Sequence, residues 1–138
     1  MRRIATLLAA LATLAAAGLF TPGPASALGG ETFGCRISPN PTVPPYTSFC
    51  RNRQAASTYV AGFLVENVTA PSTYAWSIPA AYQGAIYSGC TSDRADCGIA
   101  LPNKDAYFAV SVTITQNGAS ETLSANASIS RYCGSTPC

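Results

Sequence analysis

The segment from Tyr107 to Ile129 constrains this chain more than any other. Phe108, Val110, Val112 and Ile114 alternate with Tyr107, Ala109, Ser111, Thr113 and Thr115, and Leu123, Ala125, Ala127 and Ile129 alternate with Thr122, Ser124, Asn126 and Ser128. A period of two with one apolar face marks a half-buried strand. Between the runs sits Asn117-Gly118, a pair that accepts positive φ at both central positions of a two-residue turn. Such a turn sets Gln116 opposite Ala119, Val112 opposite Leu123, Val110 opposite Ala125 and Phe108 opposite Ala127. Both apolar sets then fall on one side with no slip of register. Turn chemistry and face pattern are independent, and both predict a β-hairpin with one face buried.

The amino terminus reads as a leader. Met1-Arg2-Arg3 is basic, Ile4 to Phe20 is uncharged and apolar, Thr21-Pro22-Gly23-Pro24 breaks a helix, and Ala25-Ser26-Ala27 offers the small residues of a cleavage site. Residues 1–27 are therefore expected to be a signal peptide and 28–138 a single secreted domain, with no membrane contact after cleavage. Arg2 and Arg3 leave with the leader. The remaining basic residues (Arg36, Arg51, Arg53, Arg94, Lys104, Arg131) then equal the acidic ones in number (Glu31, Glu66, Asp93, Asp96, Asp105, Glu121). A neutral, sparsely charged domain has no electrostatic reason to bind nucleic acid. Lys104 is the single lysine, a bias toward Arg that fits GC-rich coding and a bacterial source.

All six cysteines lie beyond the leader, and an even set in an exported chain points to disulfides. Cys90 and Cys97 bracket a polar loop and predict a local bridge. Cys35, Cys50, Cys133 and Cys138 either pair locally, Cys35 with Cys50 and Cys133 with Cys138, or tie the amino-terminal segment to the last strand; local pairing is preferred. No Cys-x-x-Cys and no His occur, so the cysteines do not make a zinc site, and no metal or cofactor is expected.

Elsewhere the chain reads as short strands separated by turns. Cys35-Arg36-Ile37 is a candidate edge strand. Ser38 to Tyr46 carries Pro39, Pro41, Pro44 and Pro45 and predicts an extended surface loop, read as a stiffened connection clamped by Cys35 and Cys50, or else as a presented binding loop. Arg51 to Gln54 predicts a turn. Thr58 to Val68, with apolar residues on both faces, predicts a central strand. Tyr74, Trp76 and Ile78 alternate with Ala75 and Ser77, and Trp76, the only tryptophan, is expected as a core anchor. Ala85 to Tyr87 and Gly98 to Leu101 add two more strands, and Arg131 to Cys138 is a tethered tail. No helix is expected after the leader. The predicted core comprises Trp76, Phe108, Val110, Val112, Ile114, Leu123 and Ile129. The pattern predicts an all-β fold, an antiparallel β-sandwich of about seven strands.

Two stretches resemble immunoglobulin-like bacterial extracellular modules of the PKD type. Tyr74-Ala75-Trp76-Ser77-Ile78 is similar to their "Y-x-W" strand, and Asp105 to Gly118 to their "Y-x-V-x-V-x-V-T-x-x-G" hairpin. The likeness covers roughly 58–129. The "G-D-G" that often follows the Trp strand is replaced by Pro79-Ala80-Ala81, so the resemblance is to the immunoglobulin-like sandwich rather than to PKD modules in the strict sense. It implies extracellular display or recognition and transfers no catalytic residue.

Without His, neither a Ser-His-Asp nor a Cys-His arrangement is available. Asp93 and Asp96 share one loop, and Glu66 and Glu121 sit at strand ends, so no pair of carboxylates is placed for glycoside hydrolysis. The chain is therefore expected to be a non-enzymatic, monomeric binding or cell-surface module for an unidentified protein or glycan. Tyr46, Tyr82, Tyr87 and Arg94 are the candidate contact residues. The alternative is a small secreted protease or glycosidase inhibitor that presents the Cys90–Cys97 loop, with Arg94 as its anchor.

Overall fold

The computed structural model describes residues 28–138; the leader expected over 1–27 lies outside the described residues. The described chain is all-β, 56% strand and 4% helix, so sheet faces must supply the core. One four-stranded sheet has the order β1 (Thr32–Ser38), β3 (Thr58–Glu66), β6 (Asp96–Pro102), β5 (Ile86–Gly89). The other has the order β2 (Phe49–Arg51), β8 (Ala119–Ile129), β7 (Ala106–Gln116), β4 (Thr73–Ser77). A two-stranded ribbon, β9 (Tyr132–Cys133) with β10 (Thr136–Pro137), closes the tail.

The β7–β8 hairpin has the register that its turn dictates. Gln116 pairs with Ala119, Val112 with Leu123, Val110 with Ala125 and Phe108 with Ala127. Asn117 and Gly118 take φ of 51° and 81°, the positive values that a two-residue hairpin turn requires. On its outer face the hydroxyls pair across the strands: Ser111 with Ser124 at 2.7 Å, Thr113 with Thr122 at 2.8 Å and Thr115 with Ser120 at 2.8 Å. That face is polar because it is solvated, and its side chains satisfy one another.

The inner faces of the two sheets share one core. β3 contributes Tyr59, Ala61, Phe63 and Val65; β7 contributes Phe108, Val110, Val112 and Ile114; β8 contributes Ala125, Ala127 and Ile129. Phe63 meets Phe108 at 6.2 Å between ring centroids, a contact from sheet to sheet. Alanines on β8 lie beside the larger side chains of β7, so large and small alternate across the layer. Each fully buried Phe or Ile adds about 1.5–3 kcal/mol of burial.

Three expectations are corrected. Ten strands are present among the described residues rather than about seven, because β2, β9 and β10 are too short to show alternation in sequence. One turn of helix, Ala80–Gln83, occurs where none was expected; Pro79 presets its entry and Gly84 follows it. Trp76 and Leu123 are half-buried rather than central, since Trp76 lies on edge strand β4 and Leu123 lies in the turn half of β8, beyond the residues that β2 pairs with. The tryptophan still touches the core, with its ring 5.9 Å from that of Phe33.

Candidate functional site

All six cysteines are paired, and the pairs are Cys35–Cys50, Cys90–Cys97 and Cys133–Cys138. The first bridge frames the candidate site. After β1 the chain leaves through the proline-rich loop and returns across its own strand. The Cys35 N–H donates to the Thr47 carbonyl at 2.7 Å, and the Thr47 N–H donates back at 3.1 Å. Gly34 permits this return: a Cβ there would stand 2.7 Å from the Thr47 nitrogen. Phe49–Arg51 then runs parallel to β8, with Phe49 beside Asn126 and Arg51 beside Ser128. Cys50 faces the core, so Phe49 and Arg51 face outward.

The return leaves a cleft of about 370 Å³ between the proline loop and β2. Its apolar wall is Ile37, Pro44, Pro45 and the Cys35–Cys50 bridge; Phe49, 50% exposed, stands at its mouth. Its polar groups are Asn40, Thr47, Arg51 and Arg53. Asn40 donates through Nδ2 to the Ile37 carbonyl, whereas its Oδ1 is buried with no hydrogen-bond partner in the structure. Arg51 and Arg53 also border a second hollow with Ser130, Tyr132 and Pro137.

Charge is segregated along the molecule. Arg51, Arg53, Lys104 and Arg131 gather at the end where β3 begins and β8 finishes, joined by Asp105, whose carboxylate accepts the Arg131 N–H at 2.8 Å. Glu31, Glu66, Asp93, Asp96 and Glu121 lie at the opposite end, with Arg94. Arg94 and Asp96 form the one ion pair among the described residues, at 2.8 Å. The guanidiniums of Arg51 and Arg53 therefore have no carboxylate partner within the described chain.

The residues expected to make contacts do not converge. Tyr46 lies beside the proline loop with the Arg36 guanidinium 4.7 Å from its ring centroid. Tyr82, expected to be exposed, is half-buried and stacks on Phe108 at 4.2 Å, because the helical turn folds it back onto the sheet edge. Tyr87 is 71% exposed on edge strand β5, away from the cleft. Arg94 is at the acidic end. There the Trp76 indole N–H is shared between the Thr91 and Arg94 carbonyls, at 3.2 and 3.3 Å. The Thr91 hydroxyl bonds the Asp93 carboxylate at 2.6 Å. That hydroxyl, then the Asp93 backbone N–H, then the charge of Arg94 hold the Asp93 carboxyl below its ordinary range.

Sequence reasoning missed Phe49, Arg51, Arg53 and Asn52 as site-forming residues. Asn52, 5% exposed, ties β2 to the end of β8: its Nδ2 donates to the Ser130 carbonyl at 2.8 Å and its Oδ1 accepts the Ser130 N–H at 2.9 Å. A run that reads as a polar turn is in fact a strand end anchored by a buried amide. Comparison of the chain with known protein families, characterised proteins and solved structures finds no match.

Proposed function

We propose that this chain is a secreted, non-enzymatic binding module of immunoglobulin-like β-sandwich form, and that it binds through the proline-loop cleft. The observation that carries this reading is the pairing of an apolar hollow with two guanidiniums that nothing in the described chain neutralises. Concave, mostly apolar sites with a few polar groups are where proteins take ligands. A loop already fixed by a disulfide, by two backbone hydrogen bonds to β1 and by four prolines loses little entropy on docking. Two facing four-stranded sheets and a half-buried Trp on the strand beside the hairpin support the immunoglobulin-like comparison. The test is capture from glycan and protein panels by the wild-type protein and by Phe49→Ala. Capture that weakens in the variant supports the cleft; equal capture by both forms removes it.

A second reading, protease inhibition, is favoured by the Cys90–Cys97 loop, which the Trp76 indole braces from below. Stoichiometric inhibition of trypsin that disappears in Arg94→Ala supports it. Absence of inhibition by the wild-type protein disposes of it.

A further inference from the structure

We infer that Cys133–Cys138 is the exchangeable disulfide of this molecule, a site where an anionic thiol attaches through a mixed disulfide. The inference is independent of the proline-loop cleft and comes from what surrounds each of the three bridges. Exchange begins when a thiolate reaches a sulfur, so access and local charge set which bridge reacts.

Access separates the bridges first. Cys35 is 0% and Cys50 7% exposed, so a thiolate meets that pair only if the sheets part. Cys97 is 1% exposed and Cys90 is half-buried. Cys133 and Cys138, in contrast, are both exposed, on a ribbon whose strands β9 and β10 carry no buried residue. The base of that ribbon is pinned without the bridge. Asn103 donates through Nδ2 to the Tyr132 carbonyl at 2.9 Å and accepts the Tyr132 N–H through Oδ1 at 2.8 Å. The Asp105 carboxylate accepts the Arg131 N–H at 2.8 Å. Opening Cys133–Cys138 therefore loosens the ribbon and leaves the two facing sheets intact.

Charge separates them second. Arg51 and Arg53 border a hollow with Tyr132 and Pro137, the residues next to the two cysteines. Arg131 lies two positions before Cys133, and its carbonyl accepts the Cys138 N–H at 2.9 Å. Positive charge draws in a thiolate and stabilises the thiolate that departs. The Cys90–Cys97 loop does the reverse, because Asp93 and Asp96 lie inside it and only Arg94 offsets them.

In the exchange the incoming thiolate bonds to one sulfur of the pair as the S–S bond breaks. The other cysteine leaves as a thiolate and takes a proton from water. The incoming thiol is oxidised to the mixed disulfide as the departing cysteine is reduced, so no further oxidant or reductant is consumed. The freed cysteine can attack the mixed disulfide and expel the thiol, which makes attachment reversible.

The test treats the folded protein with glutathione, whose reactive form is net negative, or with cysteamine, whose reactive form carries no net charge. Samples are quenched with iodoacetamide at intervals and mapped by mass spectrometry. The expected result is that glutathione adducts and alkylation arise at Cys133 and Cys138 at least about tenfold sooner than at any other cysteine. Arg131→Gln, at an exposed position, should slow glutathione by roughly twofold and leave cysteamine unchanged. The double variant Cys133→Ser, Cys138→Ser should take up no glutathione while it stays folded. Another bridge opening first, all three opening together, no adduct at all, or an adduct that persists in the double variant overturns the exchange site. If Cys133–Cys138 opens first but Arg131→Gln slows both thiols alike, or neither, the preference for an anionic thiol is overturned.

Discussion

Two disulfide-framed loops occupy opposite ends of this molecule, and they use their polar groups in opposite ways. In the Cys90–Cys97 loop the hydrogen-bonding capacity is spent internally. Arg94 pairs with Asp96, Thr91 bonds Asp93, and two carbonyls share the Trp76 indole. At the Cys35–Cys50 loop the backbone is tied down, yet Arg51 and Arg53, just past the bridge, have no carboxylate partner among the described residues and border a hollow. A bridge makes either loop rigid. What makes one of them a candidate site is the polar groups left unspent once rigidity is secured.

The largest effect that can break this comparison is loss of the bridges. Replacing Cys35 and Cys50 with Ala should cost about 3 kcal/mol in urea unfolding, and replacing Cys90 and Cys97 roughly half a kcal/mol less, because the longer loop gains more from closure. The separations are 15 and 7 residues. Equal costs would mean that the two bridges do not act through loop length.

Glycine contacts come next. Gly89 sits at φ +65° with the Asp96 carbonyl oxygen 2.2 Å from where a Cβ would stand, and Gly34 lies against the Thr47 backbone. Gly89→Ala is expected to destabilise by about 2 kcal/mol, from the left-handed conformation together with the clash. Gly34→Ala suffers only the clash and should cost about 1–3 kcal/mol. In addition, Gly34→Ala should reduce capture through the proline loop, whereas Gly89→Ala should not. Thermal melts and capture assays on the same preparations check both statements.

The smallest effects concern charge. Arg94→Ala removes an exposed ion pair and should shift stability by less than about 1 kcal/mol. The Asp93 carboxyl is lowered in the folded protein, so its contribution is present above the ordinary aspartate range and is lost as pH falls through the lowered value. Unfolding measured from about pH 5 down to about pH 2 should therefore show wild type losing slightly more stability than Asp93→Asn. A larger loss in the variant would reverse the assignment.

The hairpin was legible because its information is local. Alternation from Phe108 to Ile114 and from Leu123 to Ile129, with Asn117-Gly118 between, sets face, turn and register without help from the rest of the chain. The strand over Thr58–Glu66 was legible for the same reason. The candidate site was not. Phe49–Arg51 is three residues long, too short for any period, and its parallel partner on β8 lies far along the chain. Nothing near Asn52 announces that its amide will be buried against Ser130.

By itself, then, the sequence determined strand character, the hairpin register and an even set of cysteines, since alternation, turn chemistry and residue count are read within a few positions. Only the tertiary structure decided that residues 28–138, balanced in basic and acidic side chains, gather Arg51, Arg53, Lys104 and Arg131 at one end and Glu31, Glu66, Asp93, Asp96 and Glu121 at the other. It alone moved Trp76 from the centre to the edge and folded Tyr82 onto Phe108. These outcomes depend on which distant segments meet, and burial and charge are properties of the meeting rather than of either segment.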